Sequence, residues 1–260
     1  LMAKADLAIA AGGSTAWELA YMGLPALVLI LAENQRANAE RLGEAGIAEN
    51  LGLASTAMPE VLAEQIKKLA SDPDRRVAMS QNGRALVDGF GNMRVWFRLN
   101  ETALRLRRAN SADARFVWES ANESTVRDVS FSSDPIRWED HLIWFEKKIS
   151  DPNCFLWIAA DDSDIPLGMA RFDLEGEIAV ISVSLDKNRR GKNRGSLLIW
   201  LACRKLFLES NAEIVDAFIK SDNHASIRAF QKAGLEQSAE TTVKNQPALR
   251  FQIKRKRLET

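Results

Sequence analysis

The sequence predicts an α/β protein with two domains, a partial parallel-sheet domain over residues 1–102 and an α+β domain over residues 103–260. Three observations predict this class. The first hundred residues alternate strand-like and helix-like segments, the order of a parallel sheet covered by helices. From LRLRRA at 104–109 onward the order changes, and three strand-like runs follow one another with short turns between them, as in antiparallel sheets. The length of 260 residues is also that of two average domains.

The first domain is predicted to contain two buried strands, at 6–11 and 26–31, and four helices. Ser14 or Thr15 can cap the first helix, and Gly23 can end it. The helices are expected at 14–23, 34–46, 58–72 and 73–91. Two strands with their helices correspond to the tail of a doubly wound domain.

The second domain is predicted to begin with the strand at 104–109, followed by helical segments and then by antiparallel strands. The helical segments are expected at 112–124, 136–149, 195–210 and 223–234, and the further strands at 154–160, 166–174, 178–185, 214–220 and 248–255. This order predicts an α+β domain of ordinary size.

Composition excludes several classes of function. The chain has 35 basic and 35 acidic side chains, and nucleic-acid binding domains usually carry a basic excess. Cys154 and Cys203 lie in apolar runs and are expected to be buried thiols, and no cluster has metal-ligand spacing. No apolar run is long enough to span a membrane. We therefore expect a cytoplasmic protein without a metal, and its strand-like start suggests part of a larger protein.

A basic turn follows the strand at 178–185 and leads into a helix near Gly195. A helix N-terminus offers unpaired N–H groups and about half a positive charge. Gly191 and Gly195 allow the backbone to come close to a ligand. The turn also carries Arg190, Lys192 and Arg194. It is predicted to bind an anion such as a diphosphate, the alternative being a basic surface turn that caps a helix.

Two motifs in this region resemble the GNAT superfamily of acetyltransferases. RGKNRGSLL resembles the pyrophosphate loop Arg/Gln-x-x-Gly-x-Gly/Ala, with Arg190 first and Gly195 last. Asn193 stands where the family usually has glycine, and asparagine tolerates a positive φ. NHASIRAFQKAGL resembles the strand–helix that closes the family fold. The resemblance covers residues 105–256 and implies a GNAT fold that binds acetyl-CoA.

The resemblance implies cofactor contacts along one strand, the loop and the closing helix. Strands four and five of the family fold separate, and the pantetheine of the cofactor lies between them. The residues implied are Val183, Leu185, Arg190, Gly191, Lys192, Asn193, Arg194, Gly195, Ser196, Asn223, Ser226 and Phe230.

Transfer of an acetyl group to an amine needs a neutral amine and benefits from a proton donor to the leaving thiolate. Many GNAT enzymes have a tyrosine at the position of Phe230, and the one tyrosine of this chain is Tyr21. Ser182 and Ser184 are expected to contact the acetyl carbonyl or the thiolate. Base candidates are Glu177, Glu175 and Asp173, each of which can instead be a solvated charge of a hairpin.

Aromatic residues between 96 and 144 predict a wall for a sugar or a base, or else the core of amphipathic helices. Their pattern resembles acetyltransferases that act on UDP-4-amino-4,6-dideoxy sugars in pseudaminic-type nonulosonic acid synthesis. That resemblance implies a UDP-amino sugar substrate and leaves a homodimer open. The implied substrate residues are Trp118, Asn122, Arg127, His141 and Arg171.

Residues 1–100 resemble the C-terminal half of GT-B-type UDP-sugar enzymes, most closely a UDP-sugar hydrolase of the same pathway. The resemblance rests on the GGST turn, its helix, and the pair Asn34–Gln35. It implies a UDP site made of Gly12, Gly13, Ser14, Thr15, Glu18, Asn34 and Gln35. We expect no hydrolase activity from this segment alone, because a GT-B site forms between two domains.

The sequence thus predicts an acetyl-CoA-dependent N-acetyltransferase that acts on the 4-amino group of a UDP-linked sugar, fused to a truncated hydrolase. Two alternatives remain open. One is an acetyltransferase for a protein N-terminus or a small amine. The other is a CoA- or nucleotide-binding module without catalysis. This alternative would explain why position 230 is a phenylalanine, where many GNAT enzymes have a tyrosine.

Overall fold

A computed structural model describes residues 1–258, which divide into two compact units, Leu1–Gly91 and a second unit that begins at Asn92. The sequence places the domain boundary at 102/103, and that position stays a prediction. Helix α5, described below with the second unit, lies between the division after Gly91 and the predicted boundary at 102/103.

The first unit has a three-stranded parallel sheet in the order β1-β2-β3. Its strands are β1 (Ala8–Ala11), β2 (Ala26–Ile30) and β3 (Ala48–Leu53). Its helices are α1 (Thr15–Met22), α2 (Arg36–Glu44), α3 (Pro59–Ser71) and α4 (Pro73–Leu86). The core packs α1 and α2 against β2, with Leu19, Val28 and Leu42 almost fully buried.

Three predictions for this unit were wrong. Strand β1 was predicted to be buried, but none of its residues is buried and Ile9 is 49% exposed. Strand β3 was missed because its sequence AENLGL contains charged, amide and glycine residues instead of an apolar run. Ser14 does not cap α1, since it has a helical backbone conformation and makes no side-chain capping bond. Gly23 does end α1, in the left-handed conformation with φ 66°.

The second unit has a seven-stranded sheet in the order β4-β5-β6-β7-β8-β10-β9. Its strands are β4 (Arg105–Arg108), β5 (Cys154–Ala160), β6 (Pro166–Glu175), β7 (Ile178–Leu185), β8 (Ile214–Lys220), β9 (Glu236–Val243) and β10 (Gln246–Lys254). β7 and β8 run parallel, and the other neighbouring strands described in this sheet are antiparallel. Strand β9 was missed because it is a polar and mostly exposed edge strand.

The helices of this unit are α5 (Gly91–Leu99), α6 (Ala114–Asn122), α7 (Ser124–Asp128), α8 (Trp138–Ser150), α9 (Arg194–Glu209) and α10 (His224–Lys232). Helix α9 contributes eight buried residues to one core cluster, in which Trp200 stacks on Phe97 of α5 with 5.1 Å between the ring centres. Helices α6 and α8 form a second cluster with Leu156, Ile158 and Met169 of the sheet.

Both cysteines are free and buried, as predicted. Burial, followed by the charge of Asp173, raises the pKa of the Cys154 thiol to about 11. Burial also raises the pKa of Cys203. Among residues 1–258, no group of three or more His, Cys, Asp and Glu side chains could hold a metal ion. The helices within that range include none long and apolar enough to cross a membrane.

Candidate functional site

A gap opens in the sheet between the parallel strands β7 and β8. Their pairing covers Ile178 to Val180 on β7 and ends where Val180 faces Asp216. Beyond that pair, residues 181–185 of β7 have no partner on the β8 side among the described pairings, although β6 still pairs with them. Unpaired backbone N–H and C=O groups in a partly buried position favour a ligand that can bond with them. The gap is therefore where a polar, extended ligand would fit.

A cavity of about 560 Å³ lies at this gap, between the loop after β7 and helices α7, α9 and α10. Its lining includes Val183, Ser184, Leu185, Arg190, Gly191, Asn193, Gly195, Ser196, Asn223, Ser226 and Phe230. The structure thus brings most of the sequence-predicted cofactor residues, and one predicted catalytic serine, to a single cavity. Lys192 of this loop and Arg194, the first residue of α9, do not line the cavity.

The loop before α9 has an unusual backbone. Gly191, Lys192 and Asn193 have φ values of 86°, 47° and 59°, three successive residues with positive φ. Asn193 has a left-handed backbone conformation. This is the conformation predicted for it, because it stands where the GNAT family usually has glycine. Lys232 of α10 donates a hydrogen bond to Asn193 Oδ1 over 2.9 Å, which ties the loop to the closing helix. The loop is held open at the N-terminus of α9.

Arg190 is already engaged in the structure. Its Nη2 donates to Glu123 Oε2 over 2.6 Å, its Nη1 to Thr125 Oγ1 over 2.8 Å, and its Nε to the carbonyl of Leu185 over 3.2 Å. Glu123 and Thr125 lie at the start of α7. A sequence motif for the loop gives no signal for these two partners, which come from a different segment.

Ser184 is a polar residue of the gap for whose side chain the described part of the chain supplies no hydrogen-bond partner. Its hydroxyl oxygen is buried and makes no hydrogen bond. A buried hydroxyl without a partner costs free energy, so it indicates a place where a ligand bonds. Ser182 is different, because its hydroxyl accepts a hydrogen bond from Arg171 over 3.2 Å. Of the two predicted serines, Ser184 is the one that lines the cavity.

The predicted base Glu177 lies in the hairpin between β6 and β7, seven residues before Ser184. At 3.3 Å per strand residue, it is about 20 Å from Ser184 along the strand. Glu175 precedes it in the same hairpin. Asp173 forms ion pairs with Lys148 at 2.6 Å and Arg171 at 3.0 Å. The structure does not bring these carboxylates to the cavity.

The predicted substrate residues of α6 to α8 use their polar groups inside the fold. Trp118 and Asn122 bond with the backbone of Ile136, and His141 Nε2 donates to the carbonyl of Ala114 over 3.0 Å. Arg127 donates to backbone oxygens of 132 and 134 and to Ser130. Burial lowers the pKa of His141 and of Arg127. None of these residues lines the cavity at the gap.

The first unit brings its predicted UDP residues together at one end of the sheet. Gly12 and Gly13 form the turn between β1 and α1, and Asn38 donates hydrogen bonds to both of their carbonyls. Gln35 accepts from the backbone N–H of Leu31 over 3.0 Å. Ser14, Thr15, Glu18 and Asn34 are exposed. Asn38, which holds the turn closed, was not predicted.

Comparison with known proteins agrees with this division. Residues 115–235 match the model of the Acetyltransferase (GNAT) family, and residues 1–89 match the Glycosyltransferase family 28 C-terminal domain. The cavity residues from 125 to 232 fall inside the first match. The chain therefore joins a GNAT acetyltransferase domain to an N-terminal domain like the C-terminal domain of glycosyltransferase family 28.

Two curated relatives match the first unit. The spore coat polysaccharide biosynthesis protein SpsG of Bacillus subtilis (strain 168) is 40% identical over 95 residues, which are 36% of this chain and 28% of that protein. The UDP-N-acetylglucosamine–N-acetylmuramyl-(pentapeptide) pyrophosphoryl-undecaprenol N-acetylglucosamine transferase of Acidiphilium cryptum (strain JF-5) is 43% identical over 83 residues, 31% of this chain and 22% of that protein. The chain thus spans less than a third of either relative.

Solved structures resemble the second unit. The aminoglycoside acetyltransferase AAC(6')-Ib in complex with paromomycin and acetyl-CoA has a TM-score of 0.54 at 18% identity, covering 60% of this chain and 96% of that one. The spermidine N-acetyltransferase of Vibrio cholerae with CoA and spermine has a TM-score of 0.55 at 16% identity, covering 61% and 99%. At these identities the likeness shows the fold, so the second unit has the GNAT fold. The first unit, with its three-stranded parallel sheet and its match to the glycosyltransferase family 28 C-terminal domain, is GT-B-like.

Proposed function

We propose that the second unit is an acetyl-CoA-dependent N-acetyltransferase and that its acceptor is the 4-amino group of a UDP-linked amino-deoxy sugar. The observation that carries the cofactor assignment is the gap between β7 and β8 with its adjoining cavity. An extended pantetheine fits along the unpaired edge of residues 181–185, and the diphosphate fits at the N-terminus of α9. The structural neighbours with CoA or acetyl-CoA support this choice.

The sugar part of the proposal is supported by the first unit. Its similarity to a spore coat polysaccharide biosynthesis protein and to an N-acetylglucosamine transferase suggests a nucleotide-sugar context. The GGST turn, with exposed Ser14, Thr15 and Glu18 at the N-terminus of α1, suits the diphosphate and ribose of UDP. Synthesis of a pseudaminic-type nonulosonic acid, a cytoplasmic location and a homodimer are parts of the same proposal.

The chain's own residues suggest how the chemistry proceeds. The neutral amine attacks the thioester carbonyl, the C–N bond forms, the C–S bond breaks to release the thiolate of CoA, and the nitrogen gives up its proton to water. In this proposal the Ser184 hydroxyl donates a hydrogen bond to that sulfur; the proposal is supported by the position of Ser184 in the cavity lining and by its buried hydroxyl without a described partner. Phe230, which is 5% exposed, packs beside the cavity and supplies no proton.

The decisive experiment is a thiol-release assay with acetyl-CoA and a panel of amines. We expect release with a UDP-4-amino-dideoxy sugar and much slower release with spermidine, an aminoglycoside and peptides that have free N-termini. A peptide or polyamine preference would replace the sugar assignment. Calorimetry with CoA tests the cofactor separately, and failure to bind CoA would contradict the whole proposal.

Arg190→Ala provides the matched test of the cofactor's placement. A charge-assisted hydrogen bond contributes about 1.5–3 kcal/mol, so its loss should weaken CoA binding about tenfold or more. The control is Arg137→Ala, an exposed arginine of the segment before α8 that does not line the cavity.

A further inference from the structure

The segment 123–134, here called the strap, crosses the open end of the gap. On the β7 side, Arg190 bonds to Glu123 and Thr125. On the β8 side, Lys220 donates to the carbonyl of Asp128 over 3.3 Å. Lys244 and Gln246, at the turn between β9 and β10, bond to Ser132 and Phe131 over 2.5 and 3.1 Å. The strap is thus fastened on both sides of the gap.

The strap also forms part of the cavity wall. Thr125, Val126 and Val129 line the same cavity as the loop before α9. Their position depends on the bonds at each end of the strap, and the bond from Arg190 to Glu123 is the ion pair among them. An event that takes Arg190 away from Glu123 and Thr125 removes the side-chain bonds between the start of the strap and the loop before α9.

The diphosphate of the cofactor would be such an event. A guanidinium has five N–H donors in a fixed plane, and Arg190 directs its Nη1 and Nη2 groups to Thr125 and Glu123. Bidentate binding of a phosphate uses the same pair of groups. The side chains of Arg190 and Glu123 are 38% and 20% exposed, so water screens their pair and it can be exchanged at a modest cost.

We infer that Glu123 is an internal competitor for Arg190, which the diphosphate of the incoming cofactor displaces, and that this exchange frees the strap. The inference rests on the proposed function, since it requires a cofactor with a diphosphate. Glu123 acts through Arg190 and is a positioning residue. Its carboxylate lowers cofactor affinity by the free energy of the pair, and binding of the cofactor then loosens the wall of the cavity.

Direct repulsion between Glu123 and the diphosphate is a simpler explanation that also predicts stronger CoA binding in Glu123→Gln. A carboxylate near a bound diphosphate repels it directly, so Glu123→Gln would strengthen binding even if Arg190 played no part. The two explanations differ when Arg190 is absent. Competition for Arg190 disappears in the Arg190→Ala background, whereas direct repulsion remains.

The experiment is a double-mutant cycle measured by calorimetry with CoA on the full chain. Glu123→Gln should strengthen CoA binding about 1.4-fold to fivefold, the range of a screened ion pair of about 0.2–1 kcal/mol. Thr125→Val, which removes the second bond to Arg190, should strengthen it by a smaller factor. Glu119→Gln is the matched control, because Glu119 pairs with Arg115 on the exposed side of α6. Thermal melting checks that each variant is folded.

Glu123→Gln should change the affinity for CoA by a smaller factor in the Arg190→Ala background than in the parent chain. An equal effect in both backgrounds would overturn the inference in favour of direct repulsion, and no effect in the parent chain would overturn it outright. Hydrogen exchange gives a second readout, with faster exchange expected at amides 123–129 when CoA is saturating. If the parent chain binds no CoA, the proposed function fails as well, whereas binding without these effects overturns the inference alone.

Discussion

At the scale of single residues, Ser184 is the position where the proposed chemistry can be tested most directly. Its hydroxyl is buried, lacks a hydrogen-bond partner and lines the cavity. If it stabilises the leaving thiolate, Ser184→Ala should lower kcat about tenfold or more, with little change in the affinity for CoA. Steady-state rates and calorimetry on the same preparations check this.

Phe230→Tyr is the companion variant to Ser184→Ala. A phenol at this position should restore part of the rate lost in Ser184→Ala, because the side chain of Phe230 lines the same cavity. An unchanged kcat in Ser184→Ala would show that the thiolate leaves without help, as its ordinary pKa of about 8.5 permits.

His141 predicts how stability depends on pH. Burial lowers its pKa below the ordinary value, so the folded protein holds it neutral while it donates to Ala114. Below about pH 6.5 the unfolded chain gains a proton that the folded chain resists. The contribution of His141 to the free energy of unfolding is therefore fully present above that pH. It is lost as the pH falls toward the lowered pKa.

Denaturant unfolding at pH 7.5 and 5.5 measures this effect. For one proton, the free energy of unfolding falls by at most about 1.4 kcal/mol for each pH unit of acidification. His141→Gln should make this decrease smaller. An equal pH dependence in the parent and His141→Gln proteins would contradict the prediction.

At the scale of elements, Gly168 shows how one strand shapes the next. A Cβ on this residue of β6 would lie 2.5 Å from the carbonyl oxygen of Ser184 and 2.7 Å from Leu185 Cδ2. Backbone that close cannot be avoided by a side-chain rotation, so Gly168→Ala must push β7 away at the edge of the gap. Such overpacking costs typically about 1–3 kcal/mol.

Gly168→Ala should therefore lower both the free energy of unfolding and the affinity for CoA. Gly91→Ala is the control, because a Cβ there meets nothing within 4 Å and the residue has no positive φ. Denaturant unfolding and calorimetry give the two readouts. Full CoA affinity in Gly168→Ala would mean that the position of β7 at Ser184 and Leu185 does not matter for the cofactor.

Elements with an apolar period were predictable, and those defined by their neighbours were not. Helix α9 and strands β5 and β7 follow from runs rich in apolar residues. Strand β3 forms because β2 pairs with it, and β9 because β10 does, although neither has an apolar run. The contacts of Arg190 with Glu123 and Thr125 also escaped prediction, since those partners lie more than sixty positions earlier in the chain.

At the scale of the whole molecule, the sequence predicted the two fold classes and their order because the change from alternating to consecutive strands is visible along the chain. It could not show where the gap in the sheet lies. The gap depends on the register of β7 against β8, which ends at Val180 and Asp216 without any feature of either sequence that requires it. The resemblance to the GNAT superfamily predicted that two strands of the sheet separate, and the structure shows at which residues they do so.

The chain as a whole is expected to bind UDP through its first unit without hydrolysing a UDP-sugar. Ser14, Thr15 and Glu18 are exposed at the N-terminus of α1, where the helix can hold a diphosphate that remains open to water. Glu18→Gln should weaken UDP binding, and Glu44→Gln, at the end of α2, is the exposed control. CoA binding should be the same in both variants. Steady release of UDP from a UDP-sugar by this chain, abolished by Glu18→Ala, would show instead that the first unit is a working hydrolase.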